Sequence, residues 1–356
     1  VILLHPTAHR GYANSMLFLL RLFAIAILGL FSILQGQGAP SGKNAMTAAA
    51  RGHVGGPQLV DVGFWPTVIY NLDVDSNTFY ATTYVWFTWT GPIDPSETAE
   101  FINNVESWGL TKVKTYPKPI DLPDGRKYQC LRLEGRFFQL FSLKRFPLEK
   151  HALRILLEDN TNDASRVIYR FDRRNSGIDP HLNIPGWCIS QWNGSAGIRH
   201  YPTNLGDATL GDHGSDYGSV IFEIEVTRPV NYFVWKMLLP LIIILLANWT
   251  ALLLHPSELS SRAAMSGTAL LTTVFMQQGY TAKLPEVNYL VLMDKIYVVV
   301  YLLILISLMQ VVFQGTMVKH RRIEDLRKVM LLDKISVGVQ ALFFAVSVWL
   351  IIATTR

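Results

Sequence analysis

An extracellular all-β immunoglobulin-like sandwich followed by a four-helix transmembrane bundle is the architecture that this 356-residue sequence predicts. Three observations carry it. Between residues 60 and 227, short runs rich in Val, Ile, Tyr, Phe and Trp are separated by clusters of Asp, Asn, Gly and Pro, the pattern of many short strands joined by turns. After Arg228 and Pro229 the composition changes abruptly to four long apolar stretches. Charged residues make up 17% of the chain, below the roughly 25% of a soluble domain, and the shortage is concentrated in the C-terminal third.

The N-terminal segment is read first. An apolar stretch at residues 16–34, preceded by Arg10 and interrupted by Arg21, is followed by small residues up to Ala39 and Pro40. Residues 1–39 thus read as a secretory signal peptide, with an N-terminal membrane anchor as the alternative. Residues 40–58, rich in Gly, Ala and Ser, read as a linker, leaving 59–229 as the exported β domain and 230–356 as the membrane domain. The 32 Lys and Arg against 27 Asp and Glu give a net charge of +5, yet no long basic run is interleaved with aromatics, so nucleic acid is not an expected partner. Cys130 and Cys188 make neither a disulfide framework nor a zinc spacing; one disulfide between them and two unrelated buried thiols both fit.

In the exported half, residues 79–89 are aromatic and β-branched and follow the turn residues Asp75, Ser76 and Asn77. Further strands are expected at 128–141, 153–158, 166–171, 187–192 and 219–227; residues 96–108 read as a short helix or an irregular excursion. No nucleophile elbow, phosphate loop or metal-ligand spacing occurs in this half. The domain reads as a binding module with no enzymatic role and no cofactor.

The four hydrophobic spans are 232–254, with Pro240 inside, then 259–281, 290–313 and 334–352. The connection before the fourth span carries Lys319, His320, Arg321, Arg322, Arg327 and Lys328, whereas the one after the second carries only Lys283 among basic residues. The positive-inside rule makes the former cytoplasmic and puts the β domain outside a plasma or inner membrane. The second span is unlike the others. It holds Ser266, Thr268, Thr272, Thr273, Gln277 and Gln278, too many polar groups for a helix facing lipid on every side. Ala264, Thr268, Leu271, Phe275 and Gln278 follow one another at spacings of four, three, four and three residues, so they share one stripe. A stripe polar at its ends and apolar between them suits a water-filled path with a constriction, which several copies around an axis would enclose. The alternative is that the hydroxyls bond back to the preceding turn or join helices.

At these residues the chain resembles the pentameric ligand-gated ion channels, the Cys-loop receptor superfamily, in their prokaryotic-type form. The likeness is carried by Arg228 and Pro229 leading into Pro240, Ser261 and Arg262 opening the second span, the run 268–272, Leu284 and Pro285 closing it, then Tyr289 and Asp294. Residues 145–149, Arg-Phe-Pro-Leu-Glu, look like the family's Phe-Pro-hydrophobic-acid loop. Where animal members carry the namesake disulfide, this sequence has Gln139 and Leu153.

The resemblance implies a cyclic homopentamer whose pore is lined by Ala264, Thr268, Leu271, Phe275 and Gln278, with Leu271 and Phe275 as an apolar gate that blocks ions by dewetting. Packing of Phe275 against a neighbouring helix is the other reading of that ring. Glu258 and Arg262 stand at the mouth as candidate selectivity residues, and the sequence leans toward cations. Coupling between the domains is implied for Asp73, Asp75, Pro147, Glu149, Arg228, Pro285 and Asp294, against ordinary solvated surface pairs. Ligand contacts are implied for Trp89, Phe171, Tyr201 and Tyr217, each of which could equally be core. A cationic amine would suit such rings, while His200 and His213 offer protons as the agonist. The expected partners are four further copies, a small agonist or protons, permeant inorganic ions and membrane lipid. A non-conducting membrane-anchored ligand sensor is the rival of another class; a tethered hydrolase is the poorest of the three readings, since the β half carries no catalytic constellation.

Overall fold

The computed structural model describes residues 56–204, 206, 214–318 and 323–355. The proposed signal peptide, His213 and the basic residues 319–322 lie outside them. The chain divides into two compact units: the β unit, which includes Lys150–Pro229, and a helical unit formed by the segment from Val230 onward together with Leu143–Glu149.

Among the described residues of the β unit, ten strands form two sheets. They are β1 (Gln58–Asp73), β2 (Thr78–Trp89), β3 (Ala99–Phe101), β4 (Thr111–Lys114), β5 (Ile120–Asp121), β6 (Lys127–Phe138), β7 (Lys150–Asp159), β8 (Val167–Phe171), β9 (Cys188–Tyr201) and β10 (Ser215–Thr227). One sheet runs β4-β6-β2-β1-β8 with β5 on β6, and the other β3-β7-β10-β9. Alternate residues Val60, Val62 and Phe64 of β1 and Val85 and Phe87 of β2 meet Leu153, Ile155, Phe222 and Ile224 in one core. Phe64 stacks on Phe222 with ring centroids 5.3 Å apart. Pro66 lies inside β1 beside a register shift, where a missing N–H leaves no gap in a regular ladder.

The segment 96–108 resolves into a helical turn (Pro95–Thr98), β3 and a second turn (Ser107–Gly109). β1, β4 and β5 were not among the expected strands: Pro66 breaks the run of β1, and β4 and β5 are short and rich in Lys, Thr and Asp. β9 extends nine residues beyond the expected 187–192, to Tyr201, because Gly194 and Gly197 interrupt the strand pattern without interrupting the strand. A Cβ at Gly194 would lie 2.0 Å from the Phe171 ring, so the ring occupies the place of a side chain. Both cysteines are free, Cys130 buried and Cys188 exposed, which leaves neither a disulfide nor a pair of buried thiols.

The helical unit holds α1 (Val230–Leu253), α2 (Leu259–Thr281), α3 (Leu292–Val318) and α4 (Ile323–Thr354). After a first turn at Val230–Tyr232, α1 widens into a π-helical stretch, Phe233–Leu238, just ahead of Pro240, whose ring and missing N–H disturb a regular helix. α4 starts eleven residues before the expected 334, since the charged residues ahead of the apolar window are good helix formers. The stretches Val230–Leu253, Leu292–Gly315 and Leu326–Thr354 are long and apolar enough to cross a membrane. α2 is not apolar enough to meet that criterion, yet its 23 residues reach about 34 Å, sufficient for a hydrocarbon core of about 30 Å.

Candidate functional site

α2 separates its residues cleanly by face. Arg262, Ser266, Ala269, Thr273 and Tyr280 are buried against the other helices. Ala264, Thr268, Leu271, Phe275 and Gln278, the five residues of the expected stripe, are all exposed, Leu271 at 55% and Phe275 at 62%. Ser261, Gly267, Thr272 and Gly279 share that exposure. The outward residues of the other helices are of another kind: Ile243 and Leu246 on α1, Leu305 and Val312 on α3, Leu342 and Trp349 on α4. α1 and α4 also expose Lys236, Thr250, Arg327, Lys328 and Lys334, nearer their ends, whereas α2 shows hydroxyls, an amide and glycines around a Leu–Phe pair along its length.

The hydroxyls also make the local bonds of the alternative reading. Thr268 donates to Ala264 O at 2.8 Å, and Thr272 to Thr268 O at 2.8 Å. Their oxygens retain lone pairs on the exposed face. The two glutamines divide their roles: Gln277 Oε1 accepts from the Tyr301 hydroxyl of α3 at 2.6 Å, while Gln278 is exposed.

Arg262 corrects an expectation. Its side chain is 1% exposed and paired with Asp333 of α4 at 2.8 Å, so it points into the bundle, away from the stripe. Desolvating an arginine requires a carboxylate and carbonyl acceptors, and the bundle supplies them. Glu258, one turn earlier, is exposed.

The C-terminal end of α2 is held by Tyr280, whose hydroxyl donates to Asp294 Oδ1. Asp294 Oδ2 also accepts the Val291 N–H at 3.1 Å at the start of α3. Leu143–Glu149 completes this end. Lys144 O and Phe146 O accept the N–H groups of Leu292 (3.0 Å) and Met293 (3.3 Å), two of the unpaired donors at a helix start. The Leu143 N–H donates to Tyr289 Oη at 3.1 Å, and Phe146 stacks on Tyr280. Pro147 and Glu149 are buried in this segment, and Pro285 lies in the connection between α2 and α3.

In the β unit, Asp73 accepts from the Ser76 hydroxyl at 2.7 Å and from the N–H groups of Asp75 and Ser76; the Ser76 hydroxyl above all holds its carboxyl below the usual range. Asp75 is exposed. Arg228 lies over the Trp187 ring at 4.4 Å. His151 is buried between Phe141 and Trp187, at centroid distances of 4.9 and 5.3 Å. Burial, then the charge of Arg228, lower its pKa to about 4.

Of the four expected ligand residues, which the resemblance divides between the faces of two neighbouring subunits, two meet within the chain. Trp89 is 1% exposed and belongs to the β core, where a side chain of that size fills the space between the sheets. Phe171 is half-buried against the same core. Tyr201 and Tyr217 do meet, edge to face at 5.9 Å. The Tyr201 hydroxyl donates to Glu158 Oε2 at 2.8 Å, and Arg199 binds Glu158 Oε1 at 3.1 Å while lying over the Tyr201 ring. Burial, then the bond to Glu158, raises the Tyr201 pKa to about 12. Glu158 and Arg199 escaped sequence reading because the strand pattern of β7 marks Glu158 only as a terminal residue. His200 pairs with Asp216 at 2.7 Å on the exposed surface.

Asp333, Gln310 and Gln314 were missed as well. The signal was present: an acid and two amides inside apolar windows are costly and so carry a role. Starting the fourth span at 334 put Asp333 just outside it.

No family model matches the chain. Among curated proteins, it is 22% identical over 209 residues to pH-sensitive chloride channel 2 of Drosophila melanogaster, covering 58% of this chain and 38% of that one. It is 21% identical over 174 residues to the gamma-aminobutyric acid receptor subunit rho-3 of Homo sapiens, covering 48% and 35%. It is 19% identical over 273 residues to a proton-gated ion channel of Gloeobacter violaceus, covering 72% and 73%. The first three relatives are matched over 38%, 33% and 32% of their own length, so the chain spans about a third of each. These relatives are channels and receptor subunits, and none is named as an enzyme.

Proposed function

We propose that this chain is a subunit of a ligand-gated ion channel in which five copies surround a pore lined by α2. One observation supports it above the rest: among the described residues α2 presents hydroxyls and an amide outward along its length, and that face holds every residue of the Ala264, Thr268, Leu271, Phe275 and Gln278 stripe. Lipid cannot satisfy such a face, and water in a shared conduit can. Leu271 and Phe275 form the gate, since ions crossing a narrow apolar ring lose hydration without replacement. The β domain lies outside the membrane.

The sequence leaned toward cations. The chloride channels among the relatives favour anions instead. Residues 259–281 contain no Asp or Glu that could form an acidic ring within the lumen. Tyr201, Tyr217, Glu158 and Arg199 are the ligand-contacting group, with a small amine-bearing agonist taking the place that Arg199 holds over the Tyr201 ring and at Glu158. Proton gating is the second reading, favoured by the buried His151 and by relatives named for pH sensitivity and proton gating.

Electrical recording from reconstituted protein tests the proposal, with ion substitution, pH steps and a panel of small amines. The expected result is an evoked current whose reversal potential follows chloride. Leu271→Ser should wet the constriction and give a standing current without agonist. Silence of both proteins under every condition would favour the non-conducting sensor.

A further inference from the structure

A buried hydrogen-bonded chain runs through all four helices and begins on the helix proposed to line the pore. Arg262 of α2 donates from Nε to Ala251 O of α1 at 3.0 Å, and from Nη2 to Gln314 Oε1 of α3 at 3.3 Å and Asp333 Oδ2 of α4 at 2.8 Å. Asp333 Oδ1 also accepts from Gln310 Nε2 at 2.7 Å and Gln314 Nε2 at 2.8 Å. Ser336 donates to Gln310 Oε1 at 2.7 Å, and Gln340 Nε2 donates to Ser336 at 3.2 Å. Gln340 Oε1 then receives Ser307 and Trp249 Nε1, each at 3.0 Å, and Ser307 receives Asn248 Nδ2 at 2.9 Å.

The chain matters because of where it sits. Apolar helices in lipid gain little from preferring one another over hydrocarbon, so polar bonds and close packing decide their rotation and register. Arg262 is the fourth residue of α2, and successive residues turn by about 100°. Fixing Arg262 inward therefore fixes Ala264 and Thr268 outward. Removing the carboxylate leaves a buried guanidinium without its counter-charge, the state that buried pairs tolerate least. The simplest relief is for α2 to turn Arg262 toward water, which turns the stripe away from it.

We propose that Asp333 is a positioning residue of the pore helix: from α4 it holds Arg262 inside the bundle and so sets which face of α2 meets the conduit. The consequence for current rests on the channel reading above; the rotation of α2 does not.

The test uses the full chain in liposomes, in a Cys188→Ser background, with single cysteines introduced by Ala264→Cys on the outward face or Ser266→Cys on the inward face. Each is modified by a water-soluble methanethiosulfonate. With Asp333 present, position 264 should react at least tenfold faster than 266. Asp333→Asn should narrow that ratio at least fivefold, and the exchanged pair Arg262→Asp with Asp333→Arg should restore it to within twofold. A purely structural loss would slow or speed both positions together and would not be repaired by the exchange. Gln314→Leu, which keeps the ion pair but removes a bond to each partner, should narrow the ratio less, and it decides the matter if Asp333→Asn does not fold. A ratio within twofold of the parent in every folded variant would overturn the proposal. Recording from the same liposomes separates the two ideas: a shifted ratio with no current at any condition keeps the positioning role and discards conduction, whereas current with an unmoved ratio does the reverse.

Discussion

His151 shows how one residue can make the β unit sensitive to acid. Its ring lies between Phe141 and Trp187 and near the charge of Arg228, an environment that favours the neutral form. A folded pKa of about 4 against an ordinary 6.5 means that the unfolded chain binds more protons between those values. Stability is therefore full above pH 6.5 and declines as pH falls toward 4, by an amount on the order of 3 kcal/mol. Thermal melts of the purified protein from pH 7.5 to 4 should show this decline. His151→Phe, which has no proton to gain, should flatten it; an equally steep decline in the variant would assign the acid sensitivity elsewhere. The same residue was passed over in the sequence because a lone histidine in a strand carries no pattern. Trp89, in contrast, looked like a ligand contact because an aromatic residue at a strand end reads alike whether it faces a ligand or the core.

At the scale of elements, what periodicity could express was legible and what depends on a partner was not. The stripe of α2 follows from helical spacing alone, and the bounds 259–281 emerge unchanged in the structure. The far half of β9 was hidden because its glycines are explained only by the Phe171 ring lying over Gly194. The Arg262–Asp333 pair was hidden because its partners are 71 residues apart. Gly63 on β1 offers a test of the same kind of aromatic cover. Its cross-strand neighbour is Trp86, whose Nε1 donates to Asp172 at 3.1 Å, and a Cβ at Gly63 would lie 2.2 Å from the indole ring. The bond to Asp172 limits how far the ring can swing aside. Gly63→Ala should cost about 1–3 kcal/mol by overpacking, read as a lower melting temperature. In a Trp86→Ala background the same change should cost little, because the clash is gone. An equal cost in both backgrounds would trace the effect to the strand backbone.

For the molecule as a whole, the connection between β6 and β7 is a covalent path that would carry recognition to the pore in the proposed channel. Its flanking strands belong to different sheets of the β unit, while Leu143–Glu149 itself belongs to the helical unit. A change in the spacing of the two sheets is thus delivered, through covalent bonds, to a segment whose carbonyls cap α3 and whose Phe146 stacks on Tyr280 of α2. Tyr280 and Asp294 tie the C-terminal end of α2 to the start of α3, so the segment holds both helices where they meet. Tyr289 is the point at which this can be weakened without touching the pore or the ligand group. Tyr289→Phe removes the acceptor of the Leu143 N–H and leaves a poorly solvated donor, a loss of about 1–3 kcal/mol. If the bond is kept in the open state and strained or broken in the closed one, about 1.4 kcal/mol of that loss appears as a tenfold shift in the agonist concentration for half-maximal current. The expected outcome is such a shift toward higher concentration, with single-channel conductance and reversal potential unchanged because every ring of the α2 stripe is intact. A lower melting temperature with an unmoved agonist curve would instead make the segment a brace for the helices alone, and coupling would then have to pass through the Pro229–Val230 junction.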